Sequence, residues 1–160
     1  MLLSGALARR CRAPIFGPIP GESSRLARIL VVDDNPTVRH YLRALLEQQK
    51  DWLVCADART GQEALLRVQE SIPDVVLLDF QLPDVNGLEV ARELVHDFPE
   101  IPILMVTVYL STELASSARA AGIRGICAKS DIGSIVQAVQ TLLHSETYFP
   151  NQFAENIIGI

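Results

Sequence analysis

The 160-residue chain is 49% hydrophobic and 21% charged, the make-up of one globular domain with a tail at either end and no room for a second large domain. Its longest near-uncharged apolar stretch, Ile101 to Leu110, holds ten residues and a proline, far short of the roughly 18 that a membrane-spanning helix needs, so no membrane contact is expected. Five arginines against one glutamate in residues 1–28 resolve the overall charge of −5 into a basic start and about −9 over residues 29–160, a field that excludes general nucleic-acid binding by this domain.

The first twelve residues put apolar side chains before arginines, the reverse of a secretory signal. Pro14, Gly17, Pro18, Pro20 and Gly21 then break any periodicity, so residues 1–26 read as a disordered or loosely attached extension to a domain spanning 27–145. Cys11, Cys55 and Cys127 suit neither a disulfide framework nor a zinc site, and a reducing, cytoplasmic setting is expected.

The first regular element is Ile29 to Val32, a continuous apolar run closed by Asp33 and Asp34, the mark of a strand buried on both faces. Asn35-Pro36 opens a helix whose apolar stripe is Val38, Tyr41, Leu42, Leu45 and Leu46. Trp52 to Ala56 reads as a second strand, and Thr60 with Glu63 as a capping box for a helix carrying Ala64, Leu65 and Val68. Asp74 to Leu78 is the third strand, ending at Asp79, and Leu82 to Gly87 is loop chemistry in which Asp84 and Asn86 read as turn formers. A third helix carries Leu88, Val90, Ala91, Leu94 and Val95 and stops at Pro99. The fourth strand is expected over Ile101–Val106, the fourth helix over Ser111–Ala121, the fifth strand over Gly125–Ala128, and a last helical stripe runs from Ile132 to Leu143.

Five strands alternating with five helices predict a doubly wound α/β fold, a five-stranded parallel sheet with helices on both faces. Ligands in such sheets lie just past the carboxyl ends of the strands. Asp33, Asp34, Asp79, Thr107 and Lys129 all fall there. Three carboxylates at one crevice repel one another, and a divalent cation resolves the repulsion. Oxygen-only donors with no His or Cys point to Mg²⁺, with Mn²⁺ the alternative. Lys129 supplies a compact charge and Thr107 a hydroxyl donor, both suited to phosphoryl oxygens.

From Arg28 to about His144 the chain resembles the receiver domain of two-component response regulators. The resemblance is carried by Ile29-Leu-Val-Val-Asp-Asp34, Asp74-Val-Val-Leu-Leu-Asp79, Leu82-Pro-Asp-Val-Asn-Gly-Leu88, Ile103-Leu-Met-Val-Thr107, and Ala121-Gly122 through Ala128-Lys129, in order and at these spacings. It implies a flavodoxin-like strand order 2-1-3-4-5 and a phosphorylation-activated switch rather than a metabolic enzyme. By the same resemblance Asp79 is the phosphoryl acceptor, Asp34 a direct metal ligand, Asp33 a ligand mainly through water, and the Gln81 backbone carbonyl a further ligand. Lys129 and Thr107 would bond the phosphoryl group. The donor would be a sensor histidine kinase or phosphotransfer protein, and the fourth helix, fifth strand and fifth helix would form the moving surface, with transcription regulation as output.

Two departures stand out. Many receivers carry an aromatic switch residue in the fifth strand, where this chain has Ile126; Tyr109 is the candidate to replace it or to shield the site. Ser130-Asp131 after Lys129, and Glu146 to Pro150 after the last helix, look like receivers of LuxR-type regulators. Residues 146–160 are then a C-terminal tail or the start of a linker to an absent output domain, and a homodimer through the last helices is expected of a switch without a fused reader. The rival readings are an aspartyl-phosphate phosphatase, a flavodoxin-type nucleotide or flavin module, and a pseudo-receiver acting by contact alone. His40, His96 and His144 lie on predicted helices away from the strand ends and read as ordinary surface residues.

Overall fold

The apolar runs form the five strands of one parallel sheet: β1 (Ala27–Val32), β2 (Trp52–Ala58), β3 (Val75–Asp79), β4 (Ile103–Thr107) and β5 (Gly125–Ala128), side by side in the order β2-β1-β3-β4-β5. Between them run α1 (Pro36–Glu47), α2 (Gly61–Ser71), α3 (Gly87–Asp97) and α4 (Thr112–Ala120), and α5 (Ile132–Leu143) follows β5. The computed structural model describes residues 25–153. The extension expected over residues 1–26 therefore lies outside the described residues except at Arg25 and Leu26, as does the tail beyond Phe153.

Side chains alternate across each strand, so the sheet carries a core on each face. Ile29, Val31, Val75, Leu77, Leu104 and Val106 pack with Leu42 and Leu46 of α1 and Ile135, Val139 and Leu142 of α5. Leu30, Val32, Val76, Leu78, Ile103, Met105 and Ile126 face the other way, toward Ala64 and Val68 of α2, Val90, Ala91 and Leu94 of α3, and Ala115 and Ala118 of α4. Strands wrapped on both sides have no polar face, which is why β3 and β4 are buried at every residue.

Several boundaries differ from those expected: β1 begins at Ala27 rather than Ile29, β3 runs Val75–Asp79 rather than from Asp74, and α4 is one residue shorter at each end. β4 starts at Ile103, because the Ile101 N–H donates back to Phe98 and Pro102 has no N–H to give a neighbour. β2 runs on to Ala58 and bulges: Ile29 pairs with Val54 but Leu30 with Ala56, leaving Cys55 as the extra residue. The chain also stays on the sheet past Leu143. Tyr148 donates its N–H to Arg124 O at 2.9 Å and accepts from Ile126 N–H at 3.0 Å, covering part of the free edge of β5. Phe149 then lies 3.9 Å from the Arg119 guanidinium of α4.

Helix starts explain much of the local geometry. Asn35 caps α1 through Thr37 and Val38 N–H, Thr60 caps α2 through Glu63 N–H, Asn86 caps α3 through Leu88 N–H, and Ser111 caps α4 through Leu114 N–H. The start of α2 has a second cap, supplied from far along the chain. Asp84 accepts from Gly61 N–H at 2.9 Å and Gln62 N–H at 3.1 Å. These donors, with Gly61 the stronger, hold the Asp84 carboxyl below its ordinary range. A carboxyl pKa lowered by folding contributes stability above the unfolded value and loses it as pH falls through the folded one. Asp84→Ala should therefore lower stability by about 1 kcal/mol at neutral pH, and by less in acid, as read from urea unfolding at both.

Candidate functional site

Parallel strands all release their chains at the same edge, and here β1, β3, β4 and β5 deliver Asp34, Asp79, Thr107 and Lys129 to one cleft of about 610 Å³, with Asp33 buried behind it against Lys129. Among the described residues, Asp33, Asp79 and Thr107 are the polar or charged ones buried in the otherwise apolar core. Burial of charge is costly without partners. Lys129 provides them: its Nζ lies 2.6 Å from Asp33 Oδ2 and 3.1 Å from Asp79 Oδ2.

Backbone donors hold the other carboxylate oxygens. Asn35 N–H donates to Asp33 Oδ1 at 2.9 Å, and Gln81 N–H to Asp79 Oδ1 at 3.3 Å. Asp34, the next residue after Asp33, is exposed, yet one of its oxygens lies within 4.8 Å of oxygens from both Asp33 and Asp79. Gln81 sits two residues past the strand end and lines the same cleft.

The electrostatics follow from this crowding. Burial pushes the Asp79 carboxyl above its ordinary value, opposed by the Lys129 hydrogen bond and reinforced by the charge of Asp33. For Lys129, burial alone would favour the neutral amine, but the hydrogen bonds and charges of Asp33 and Asp79 together outweigh it and raise the ammonium's pKa. One cation thus faces three carboxylates, which leaves the cleft short of positive charge. Three oxygen donors on short side chains, one of them open to water, match the all-oxygen, partly hydrated coordination of Mg²⁺ or Mn²⁺.

Of the six expected site residues, Asp33, Asp34 and Asp79 are brought together, Lys129 bonds the first and last of them, and Gln81 and Thr107 line the cleft beside them. The Thr107 hydroxyl is turned to the Tyr109 carbonyl at 3.5 Å, a weak bond that is readily given up. Tyr109 does not shield the site: it is 82% exposed and stands at the rim. Ile126, in the place of the expected aromatic, is fully buried in the core.

Two contributors escaped the sequence reading. Gly87 opens α3 directly against the end of β3, where a Cβ would overlap the Asp79 backbone oxygen and lie 2.9 Å from Phe80 Cα. Arg39 donates from Nη1 to the Asp33 backbone oxygen at 2.8 Å. The Asn-Gly pair at 86–87 could have flagged the first; nothing in the helical pattern marks Arg39.

Comparison with known proteins agrees with this fold. The family model described as the response regulator receiver domain matches residues 29–140. The chain is 31% identical over 134 residues to the response regulator GacA of Pseudomonas protegens, a match covering 83% of this chain and 63% of that one. It is 33% identical over 130 residues to the transcriptional activator protein ExaE of Pseudomonas putida, covering 81% and 61%. The chain thus spans less than two thirds of the length of these curated relatives. Among solved structures, a two-component response regulator of the LuxR family from an Aurantimonas species superposes with a TM-score of 0.78 at 33% identity, over 83% of this chain and 96% of that one. Among the described residues no helix is long and apolar enough to cross a membrane.

Proposed function

Because the chain belongs to the response regulator receiver family, we propose that it is a phosphorylation-activated switch in which Asp79 accepts a phosphoryl group from a phosphohistidine on a sensor kinase or phosphotransfer protein. The observation that carries the reading is the Lys129 ammonium held between Asp33 and Asp79 inside a cluster of three acids. A divalent cation, Mg²⁺ by its donor set, would be held by Asp33, Asp34, Asp79 and the Gln81 carbonyl; when bound it supplies the positive charge that phosphoryl transfer calls for.

The chain's own groups do the rest. The Asp79 carboxylate attacks phosphorus in line while the P–N bond breaks, its electron pair leaving with the imidazole of the donor. Lys129 keeps its proton and stabilises charge on the transferring oxygens from where it already sits. Thr107 releases the Tyr109 carbonyl and donates to the new phosphoryl group. That exchange moves the loop between β4 and α4, so the face made by α4, β5 and α5 reports the state of Asp79. Water then attacks the phosphorus of the acyl phosphate, the P–O bond to Asp79 breaks, and inorganic phosphate leaves as the carboxylate is restored. The output is transcription control, supported by the names of relatives such as ExaE, through a separate element; a homodimer of this domain is the partner form that the α4–β5–α5 face would serve.

Incubation with a small phosphodonor and Mg²⁺, followed by intact-mass measurement, tests this. The wild type should gain one phosphoryl group, EDTA should prevent it, and Asp79→Asn should gain none. Equal labelling of both proteins would overturn the assignment.

A further inference from the structure

Asp34 is the exposed member of the acid cluster, and among the described residues no side chain holds its carboxylate in place. Its direction is therefore set by its backbone. The Asp33–Asp34 peptide unit is a rigid plane, and whatever fixes the Asp33 carbonyl fixes the Cα from which the Asp34 side chain departs.

One side chain does so. Arg39, in the first turns of α1 and 14% exposed, donates from Nη1 to the Asp33 oxygen at 2.8 Å, while its Nε lies 4.0 Å from Asp57 Oδ2 near the end of β2. Asp57 is in turn 3.5 Å from Arg43 Nη2, and Arg43 Nη1 donates to Val54 O at 3.2 Å. Arg39 thus links the loop after β1 to the neighbouring strand, by a hydrogen bond on one side and, on the other, by charge attraction to Asp57 in which the buried Nε makes no hydrogen bond among the described residues. The remaining atoms of Asp33 are taken as well: its N–H donates to Ala58 O at 3.0 Å, and its carboxylate is held by Asn35 and Lys129.

We propose that Arg39 is a positioning residue for the divalent-cation site, holding the Asp33–Asp34 peptide so that the Asp34 carboxylate points into the cluster. The inference rests on the cation-binding reading above. It makes an unusual demand of sign. A guanidinium acting through charge alone repels a nearby dication, so deleting it would tighten binding. A guanidinium acting through the carbonyl holds a ligand in place, so deleting it weakens binding, as loss of groups that orient ligands typically does by 10–100-fold.

Mg²⁺ titration followed by calorimetry, and by the amide resonances of residues 33–35 and 129, separates the two. Arg39→Met should bind Mg²⁺ about tenfold more weakly. Arg39→Lys, which keeps the charge but cannot span the carbonyl and Asp57 together, should also weaken binding several-fold, and it serves alone if the methionine variant does not fold. Wild-type affinity in the lysine variant, or tighter binding in the methionine one, would overturn the proposal. Failure of the wild type itself to bind Mg²⁺ would instead overturn the cation site on which it rests.

Discussion

Lys129→Met should destabilise the cation-free protein by about 3 kcal/mol at neutral pH, and excess Mg²⁺ should return most of that loss. Removing one partner of a buried ion pair typically costs about 3–5 kcal/mol because the other charge is left uncompensated. The lower end applies here, since the Lys129 side chain is 19% exposed while those of Asp33 and Asp79 are 2% and 7%. Asp33 keeps the Asn35 N–H, but Asp79 is left with the long Gln81 bond and the facing charge of Asp33.

The pH dependence has a definite sign. Burial already raises the Asp79 carboxyl against the pull of Lys129, and the substitution removes that pull. With its pKa raised on folding, the native state binds more protons than the unfolded chain, so stability falls as pH rises through the window between the two values. Urea unfolding in mild acid and at neutral pH, with and without Mg²⁺, should show the deficit growing with pH and shrinking with the cation. A variant as stable as the wild type at both, and indifferent to Mg²⁺, would show that the acids do not depend on Lys129.

The second large effect belongs to a residue with no side chain. Gly87→Ala should lower stability by about 2 kcal/mol and reduce phosphoryl uptake, although alanine is the better helix former by about 1 kcal/mol. The sign is set by what surrounds the new methyl: the Asp79 carbonyl oxygen, Phe80 Cα at 2.9 Å and Phe80 O at 3.1 Å are all backbone and cannot swing aside. Gly87 N–H also donates to Phe80 O at 2.7 Å, so the start of α3 and the end of β3 are tied where the methyl would intrude. Gly133→Ala is the control. Its nearest neighbour, Asp131 Oδ1, is 4.0 Å away, so the added methyl meets no obstacle and a propensity gain should appear, smaller than the ~1 kcal/mol of a helix interior because the residue lies in the first turn. Thermal unfolding of the two variants should shift in opposite directions; a stabilised Gly87→Ala would mean that the strand end yields, and that Asp79 is held less rigidly than described.

What could be read from the sequence follows from the kind of signal each feature leaves. The five strands and five helices were legible because burial on both faces makes strands continuously apolar and helices periodic. The far end of β2 was not: Asp57 is polar because it meets Arg39 and Arg43 across the strand end, a contact that no period encodes. Asp33, Asp34, Asp79 and Lys129 were legible as a group, since residues at successive strand ends of a parallel sheet share one rim. Asp84 read as a turn former, and its bonds to Gly61 and Gln62 join residues 23 and 22 apart in the chain. Arg39 looked like any polar helix residue, and the pairing of Tyr148 with β5 depends on where the chain turns after α5. Local patterns specified the elements and the rim, whereas the groups that aim the rim's side chains act across the fold.

The most direct measurement is to locate the phosphoryl group itself. Borohydride reduces an acyl phosphate to an alcohol, so protein treated with a small phosphodonor and Mg²⁺, reduced and then digested, should carry homoserine at position 79. That conversion should vanish when Mg²⁺ is withheld. Homoserine at another aspartate, such as Asp34, Asp57 or Asp84, or equal conversion without the cation, would contradict the account.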